Sequence, residues 1–309
     1  MPQPPDLLSA ALQATRHLAP DEVRALTRNA VIILSMPRAG SNLLFEQLRR
    51  LGGAWSIGGE SHAILNAFGH LRAENAALDS GSLGAGHADS RTREAMRRCF
   101  LFLLGDARGR PFLRLDLRER PAHPVLLEKT PRNALNIPFL LQVFPGARFV
   151  FLHREPRQNI ASIIEAWTVG LETGRFVTFR DLPGWDRPGW CFLLPPGWRE
   201  LHGRPLADIA AFQWAAGNRI VLDELAELDA GRWIPVGYEQ LLQQPAQTLT
   251  RLAEFAGLDA PAGEMSAESM PLSRTTLSPP HPDKWRRHET AIENARASWQ
   301  AVADRIAAL

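Results

Sequence analysis

The sequence predicts an α/β fold of three layers, α/β/α, with a central parallel sheet flanked by helices. Two apolar runs, VIILSM at 31–36 and ARFVFLH at 147–153, are short and continuous, as buried parallel strands are. Further strands are predicted at 54–62, 125–128 and 232–239, each followed by a helical pattern. Strands that alternate with helices indicate strand–helix–strand units, in which ligands bind beyond the carboxyl ends of the strands.

The chain of 309 residues is expected to form one domain, spanning 1–309, with an irregular excursion at about 168–204. Helical spacing predicts a helix over 63–78. Thr130 before Pro131 predicts the N-cap of a helix that runs to about 143. The excursion has no clear period, and connections of that length are often lids.

Composition excludes several classes of function. The net charge of +2 gives no overall field for nucleic acid. The two cysteines, Cys99 and Cys191, match no metal spacing, so no metal site is predicted and a reducing cytoplasm is favoured. No apolar run is long enough to cross a membrane, and no export signal precedes the first helix. Oligomeric state is left open.

Lysine is used at only two positions. Of the 35 lysines and arginines, two are lysines, Lys129 and Lys284, so the other 33 are arginines. An ammonium and a guanidinium are not interchangeable, and the two positions could therefore mark a need for a compact cation. Chance explains two positions equally well.

The stretch SMPRAGSNLL, 35–44, joins a strand to a helix and is P-loop-like. Its backbone N–H groups would point at an anion near the positive end of the helix, with Gly40 allowing close approach and Arg38 adding charge. The missing Gly-Lys-Ser/Thr argues against ATP with magnesium. Taken alone, the stretch could equally be an ordinary turn with a surface arginine.

A second cationic position follows the strand at 147–153. Arg154 ends that strand, and Ser162 lies eight residues later in the next helix. The two side chains could converge only on a large anion, with a bend at Pro156. The spacing alone favours a simpler arrangement, in which Arg154 pairs with Glu155 or Asp116 and Ser162 is buried.

Together these segments resemble the sulfotransferases that use 3′-phosphoadenosine 5′-phosphosulfate (PAPS). The resemblance rests on PRAGSNLL, EKTPR and FVFLHREPRQNIAS, in that order, and on WIPVGYEQLLQQPAQTLTRLAEFAGL near the end. It covers roughly 30–60, 123–167 and 232–288, and it is closest to a bacterial branch related to the tyrosylprotein and heparan sulfotransferases.

The resemblance implies a role for each candidate residue. PAPS would be the co-substrate, with its sulfuryl group near Arg38 and Lys129. Arg154 and Ser162 would bind the 3′-phosphate, and Ser273, Arg274 and Lys284 would close over the nucleotide. The 5′-phosphosulfate would be held by the loop residues Pro37, Arg38, Ala39, Gly40, Ser41 and Asn42.

The general base is implied less directly. Pro131 stands where cytosolic sulfotransferases carry a catalytic histidine, and Arg38 stands where they usually carry lysine. The related branch places a glutamate beyond the first helix, which selects Glu60, with His62 as the rival. A carboxylate in a cleft is expected to have a raised pKa. A loop acid and a helix cap are the alternatives for these two residues.

The acceptor is unidentified. Four of the nine tryptophans, with Phe176, Phe179 and Phe192, could line an apolar acceptor pocket or pack the excursion onto the core. The resulting hypothesis is in-line sulfuryl transfer to the hydroxyl of an apolar or aromatic small molecule or peptide. The alternatives are a kinase that uses ATP and a nucleotide-binding interaction protein without turnover. The four tryptophans are Trp167, Trp185, Trp190 and Trp198.

Overall fold

The computed structural model describes residues 6–73, 75, 78–260, 277 and 281–309. Twelve α-helices and seven β-strands are found in this part of the chain. The strands are β1 Ala30–Ser35, β2 Ala54–Trp55, β3 Val125–Lys129, β4 Arg148–His153, β5 Val177–Phe179, β6 Trp190–Cys191 and β7 Trp233–Gly237. The helices are α1 Leu7–Ala14, α2 Pro20–Leu26, α3 Ser41–Leu48, α4 His62–Asn66, α5 Ser90–Leu103, α6 Ile137–Val143, α7 Pro156–Thr173, α8 Leu206–Ala226, α9 Tyr238–Gln243, α10 Pro245–Ala256, α11 Glu289–Asn294 and α12 Arg296–Ala307.

Five strands form a parallel sheet in the order β2-β3-β1-β4-β7. The predicted α/β class and parallel sheet are confirmed. Because every strand runs in the same direction, the carboxyl ends of β1, β3, β4 and β7 lie along one edge. That edge is where a ligand site is expected.

Two apolar clusters make the fold three-layered. Side chains alternate along β1, so Ile32 and Leu34 pack on one face of the sheet and Val31 and Ile33 on the other. The first face is covered by helices that include α5, α6 and α8, and the second by α3 and α10. A strand buried on both faces needs the continuous apolar run that the sequence shows at this position.

Two helix predictions are wrong. Among the described residues of 63–78, the chain forms only part of the short helix α4 and a 3₁₀ turn at Gly69–Leu71. The expected helix over 131–143 is divided into a 3₁₀ helix at Pro131–Leu135 and α6, where Pro138 lies in the first turn. Thr130 makes no capping bond; its hydroxyl instead accepts a hydrogen bond from the backbone N–H of Ser61, 2.7 Å away.

The excursion is more ordered than its sequence indicates. Its first residues extend α7 to Thr173, and β5 and β6 then pair as an antiparallel hairpin. Indole rings of Trp167, Trp185 and Trp198 all pack against the ring of Trp190, at centroid distances of 4.8–5.7 Å. The indole N–H of Trp190 donates to the carbonyl oxygen of Leu193 at 2.7 Å. The four tryptophans therefore pack the excursion onto the core.

We expect Trp190→Ala to lower the free energy of unfolding by about 3–5 kcal/mol, because it removes the central ring of a buried cluster. Chemical denaturation measures the change. Leu117→Ala is the control, since Leu117 is 81% exposed and its truncation should cost little. A loss below about 1 kcal/mol for Trp190→Ala would show that the cluster does not hold the hairpin.

Candidate active site at the carboxyl edge of the sheet

The loop between β1 and α3 has the backbone of an anion-binding turn. Arg38 and Gly40 both have positive φ, 66° and 100°, and Gly40 is the N-cap of α3. The side chain of Asn159 donates to the carbonyl oxygen of Pro37 at 2.8 Å, which fixes the loop to α7. The loop therefore presents the positive end of α3 at the carboxyl edge of the sheet.

Glycine at position 40 is required by space as well as by backbone conformation. A Cβ atom built there would lie 2.4 Å from Cδ2 and Cε2 of Tyr238. Tyr238 is the only tyrosine in the sequence, and it begins α9 directly after β7. The aromatic ring thus forms a wall against which the loop backbone packs.

Arg154 extends from the end of β4 towards this loop. Its Nη1 donates to the carbonyl oxygen of Arg38 at 3.2 Å and its Nη2 to Oε1 of Gln158 at 3.1 Å. The guanidinium carbon lies 4.7 Å from the centre of the Tyr238 ring. The simpler arrangement that the spacing favoured is wrong, because Glu155 instead caps α7 through the N–H of Gln158, at 2.7 Å.

Ser162 lies on α7 and is half-buried, and it lines the same cavity as Arg154. Pro156 at the start of α7 turns the chain between the two residues. Gln158, Ser162 and Glu165 are spaced four and three residues apart, so they share one face of the helix. That face looks into the cavity, which explains how residues eight apart reach one space.

Positive charge is concentrated around Arg38. Burial, and then repulsion by Arg175 and Arg154, lower the pKa of Arg38 from 12.5 to about 10, with Glu165 opposing the change. The guanidinium remains protonated at neutral pH. Crowded cations at a partly buried position are a cost that a bound anion would relieve.

Lys129 and Glu60 form the second charged group at this edge. Lys129 is the last residue of β3 and is 2% exposed; its Nζ donates to Oε1 of Glu60 at 2.5 Å and also to Oδ1 of Asn42. The other carboxylate oxygen of Glu60 lies 2.8 Å from Nε2 of His62. Glu60 is thus bridged between a lysine and a histidine.

The expected rise in the pKa of Glu60 is wrong for the free protein. Burial by itself would raise this pKa, but the hydrogen bond from His62 and the charge and hydrogen bond of Lys129 outweigh it. The result is a pKa lowered from 4.5 to about 2. Glu60 is therefore fully ionised at neutral pH, and its basicity is limited by its two partners.

The other lysine also makes an ion pair beside the cavity. Nζ of Lys284 lies 2.5 Å from Oε2 of Glu165, so the segment after 281 is attached to α7 next to Ser162. Ser273 and Arg274, which were predicted to close over the nucleotide, lie outside the described residues.

These groups line one cavity of about 550 Å³, within the usual range for small-molecule sites. The lining combines polar and apolar residues. The polar lining includes Arg38, Ser41, Asn42, Glu60, His62, Arg154, Gln158, Ser162, Glu165, Tyr238 and Lys284. Part of the apolar lining comes from the hairpin and its flanks, with Phe176, Val177, Phe192 and Leu193.

The match to known families identifies the chain. Residues 30–186 match the sequence profile of the sulfotransferase family, which is half of the chain. The chain belongs to the sulfotransferase family. It is an enzyme of the PAPS-dependent kind, so the sulfuryl-transfer class predicted from the sequence is confirmed. A closer relationship to the tyrosylprotein and heparan branch stays a prediction.

Several solved structures are similar to this chain. Sulfotransferase STF9 from Mycobacterium avium is 16% identical, with a TM-score of 0.50, over 94% of this chain and 81% of that chain. Sulfotransferase STF1 from Mycobacterium tuberculosis H37Rv gives 0.48 at 15% identity, over 97% and 82%. The sulfotransferase domain from the curacin biosynthetic pathway gives 0.43 at 20%, over 90% and 95%. No curated protein matches the sequence.

Sequence reasoning missed several residues of the candidate site, among them Tyr238, Gln158 and Asn159. Tyr238 had a signal, since a lone tyrosine at the end of a predicted parallel strand falls at the ligand edge. Gln158 and Asn159 had none, because their partners, Arg154 and the carbonyl oxygen of Pro37, become neighbours only in the folded chain.

The described residues contain neither a candidate membrane helix nor a candidate metal cluster. None of their helices is both long and apolar enough to cross a membrane. Over the same residues, His, Cys, Asp and Glu side chains form no group of three or more that could hold a metal ion.

We expect Gly40→Ala to abolish binding of adenosine 3′,5′-bisphosphate, because its methyl group would displace Tyr238 and distort the loop. Isothermal titration calorimetry measures the affinity. The control is Gly231→Ala, which imposes the same strain at φ 84° but has no atom within 4 Å of the added Cβ. Equal affinities in the two variants would contradict the assignment of this loop as the anion site.

Proposed function

We propose that this sulfotransferase moves the sulfuryl group of PAPS to a hydroxyl of an apolar or aromatic acceptor by in-line displacement, with Glu60 as the general base. One observation carries the proposal: a single cavity contains the loop at 37–42, Arg154 with Ser162, and Glu60. These are the groups that a nucleotide with two separate anionic groups and a reacting hydroxyl require.

The residues present fit a nucleotide with phosphate groups at both ends. The loop backbone, Arg38, Ser41 and Asn42 would hold the 5′-phosphosulfate, and Arg154 and Ser162 the 3′-phosphate. Nε of Arg154 is buried and has no hydrogen-bond partner among the described residues, so a donor remains for a ligand. Lys284 is the proposed contact from the C-terminal segment, together with Ser273 and Arg274.

Glu60 would remove the proton of the acceptor hydroxyl as its oxygen attacks sulfur. PAPS supplies the activated sulfuryl group and a phosphate leaving group. Lys129, Arg38 and the loop N–H groups would stabilise the charge that grows on the leaving oxygen, which is usually the largest catalytic contribution in such sites. His62 contacts Glu60 and stays the alternative base.

Lys129 links the base to the charge-stabilising group. In the free protein the ammonium of Lys129 donates a hydrogen bond to Glu60 and contributes to the lowered pKa of that carboxyl. When the same ammonium turns towards the sulfuryl group, Glu60 loses a partner and becomes a stronger base. In this mechanism the ammonium of Lys129 therefore leaves the carboxylate of Glu60 and contacts the sulfuryl group.

The acceptor would lie against the hairpin. Phe176 and Phe192 face the cavity with ring centres 5.5 Å apart, and both have positive φ, 68° and 67°. Non-glycine residues adopt that conformation at a cost of order 1–3 kcal/mol, which is often found at functional sites. Phe179, by contrast, is buried beneath Arg132 and does not line the cavity.

We expect adenosine 3′,5′-bisphosphate to raise the melting temperature more than adenosine 5′-phosphate does, since only the former engages Arg154 and Ser162. At a hundredfold excess over its dissociation constant, a ligand adds about 2.7 kcal/mol of apparent stability. Arg154→Ala should remove the difference between the two nucleotides. Arg305→Ala, at a surface ion pair with Asp223, should retain it. Equal shifts from both nucleotides in the unaltered protein would contradict the 3′-phosphate site.

We expect Glu60→Gln to lower the rate of sulfuryl transfer by about 10²–10⁴-fold, the usual contribution of a general base. Transfer of ³⁵S from labelled PAPS to a panel of apolar phenols and alcohols, with 2-naphthol as the reference, measures the rate. A retained thermal shift with adenosine 3′,5′-bisphosphate serves as the control for an intact nucleotide site. Turnover at the unaltered rate would remove Glu60 as the base.

A further inference from the structure

A buried carboxyl group lies one residue before Lys129 and is not used in the chemistry above. Glu128 is 1% exposed, and its Oε1 accepts hydrogen bonds from Oγ of Ser61 at 2.6 Å and from Nδ2 of Asn133 at 2.8 Å. Ser61, Thr130 and Asn133 are buried as well. A buried polar network of this kind is costly unless it holds a specific arrangement.

The network attaches the Glu60 segment to the end of β3. The backbone N–H of Ser61 donates to Oγ1 of Thr130 at 2.7 Å, and its hydroxyl donates to Glu128. Glu60, one residue earlier, meets Lys129. Two consecutive residues of the segment thus contact three consecutive residues of the strand end.

Neighbouring strand residues point to opposite faces of the sheet, so Glu128 and Lys129 lie on different sides of β3. The 60–61 segment reaches both, which places it across the carboxyl end of the strand. Without the link through Ser61, the contact between Glu60 and Lys129 would depend on one ion pair with a partly exposed carboxylate.

We propose that Glu128 is a positioning residue: through Ser61, its buried carboxyl group holds Glu60 in contact with Lys129. The inference rests on the proposed function, in which transfer starts from a site where Glu60 and the ammonium of Lys129 lie side by side. The contact itself can be observed without any turnover.

The carboxyl group acts here as a hydrogen-bond acceptor. Burial raises the pKa of Glu128 above its usual value, against hydrogen bonds from Ser61 and Thr130 and the charge of Lys129. Glutamine has the same shape and keeps an acceptor oxygen for Ser61 and Asn133, whereas methionine keeps the volume and removes the acceptor.

The two lysines of the chain make a direct test possible. Selective ¹⁵N labelling of lysine side chains gives one Nζ signal each for Lys129 and Lys284, and Lys284→Arg assigns them. Glu60→Gln defines the position of the Lys129 signal when the contact is lost. We expect Glu128→Met and Ser61→Ala to move the Lys129 signal at least half of the way to that position, and Glu128→Gln to leave it unchanged.

Thr15→Val is the control for a general loss of stability. Thr15 is buried at the end of α1 and accepts a hydrogen bond from Arg98, far along the chain from Glu60. It should leave the Lys129 signal in place. Should Glu128→Met not fold, Ser61→Ala, which removes a single hydroxyl, carries the test.

A Lys129 signal that stays at its original position in Ser61→Ala or in folded Glu128→Met would overturn the proposal. A shift of equal size in Thr15→Val would also overturn it, because it would show a general loosening of the fold. The same shift in Glu128→Gln would overturn it too, because it would show that the charge of Glu128, and not its hydrogen bonds, is needed. The role of Glu60 in transfer is decided separately by the ³⁵S assay on Glu60→Gln, so the two failures are distinguishable.

Discussion

The ion pair between Lys129 and Glu60 is the constraint on which the site depends. An ammonium group that is 2% exposed at the end of a central strand must be paired, because an uncompensated buried charge is strongly destabilising. The pairing brings a loop that follows β2 over the end of β3. Since Asn42 shares the same ammonium, the start of α3 is drawn to the same point. One cation therefore joins the loop before α3, the proposed anion site, to the proposed base.

The arginines at the same edge of the sheet repel one another. Burial, and then repulsion by Arg175 and Arg154, lower the pKa of Arg38. Such an arrangement costs stability in the free protein, and that cost is tolerated where a polyanion is to be bound. Glu165 offsets part of it, since it attracts Arg38 and pairs with Lys284. The free site is thus held together by internal carboxylates that a nucleotide would compete with.

The features that could be predicted from the sequence are those that a local residue pattern specifies. The apolar runs of β1 and β4 and the turn around Gly40 are readable, because burial on both faces and positive φ select few residue types. Thr130 is the N-cap residue before Pro131, as predicted, but the partner of its hydroxyl, Ser61, lies 69 positions away and was not readable. Burial would raise the pKa of Glu60, and His62, two residues away, and then the distant Lys129 lower it. Local spacing does not contain the pairings between distant segments, such as Lys129 with Glu60.

The tryptophan-rich excursion shows why residue type alone left two roles open for its aromatic residues. Large aromatic residues in a long connection can line a pocket or fill a core, and the partners of their indole N–H groups distinguish the two. The indole N–H of Trp167 donates to the side-chain oxygen of Gln213. The side-chain nitrogen of Gln213 in turn donates to the carbonyl oxygens of Cys191 and Leu193. The tryptophans are therefore anchored behind the hairpin. Phe176 and Phe192, which line the cavity, pack against the same core. The guanidinium carbon of Arg38 lies 5.4 Å from the centre of the Phe176 ring. A substitution of Phe176 would therefore disturb the cationic edge as well as the proposed acceptor side of the cavity.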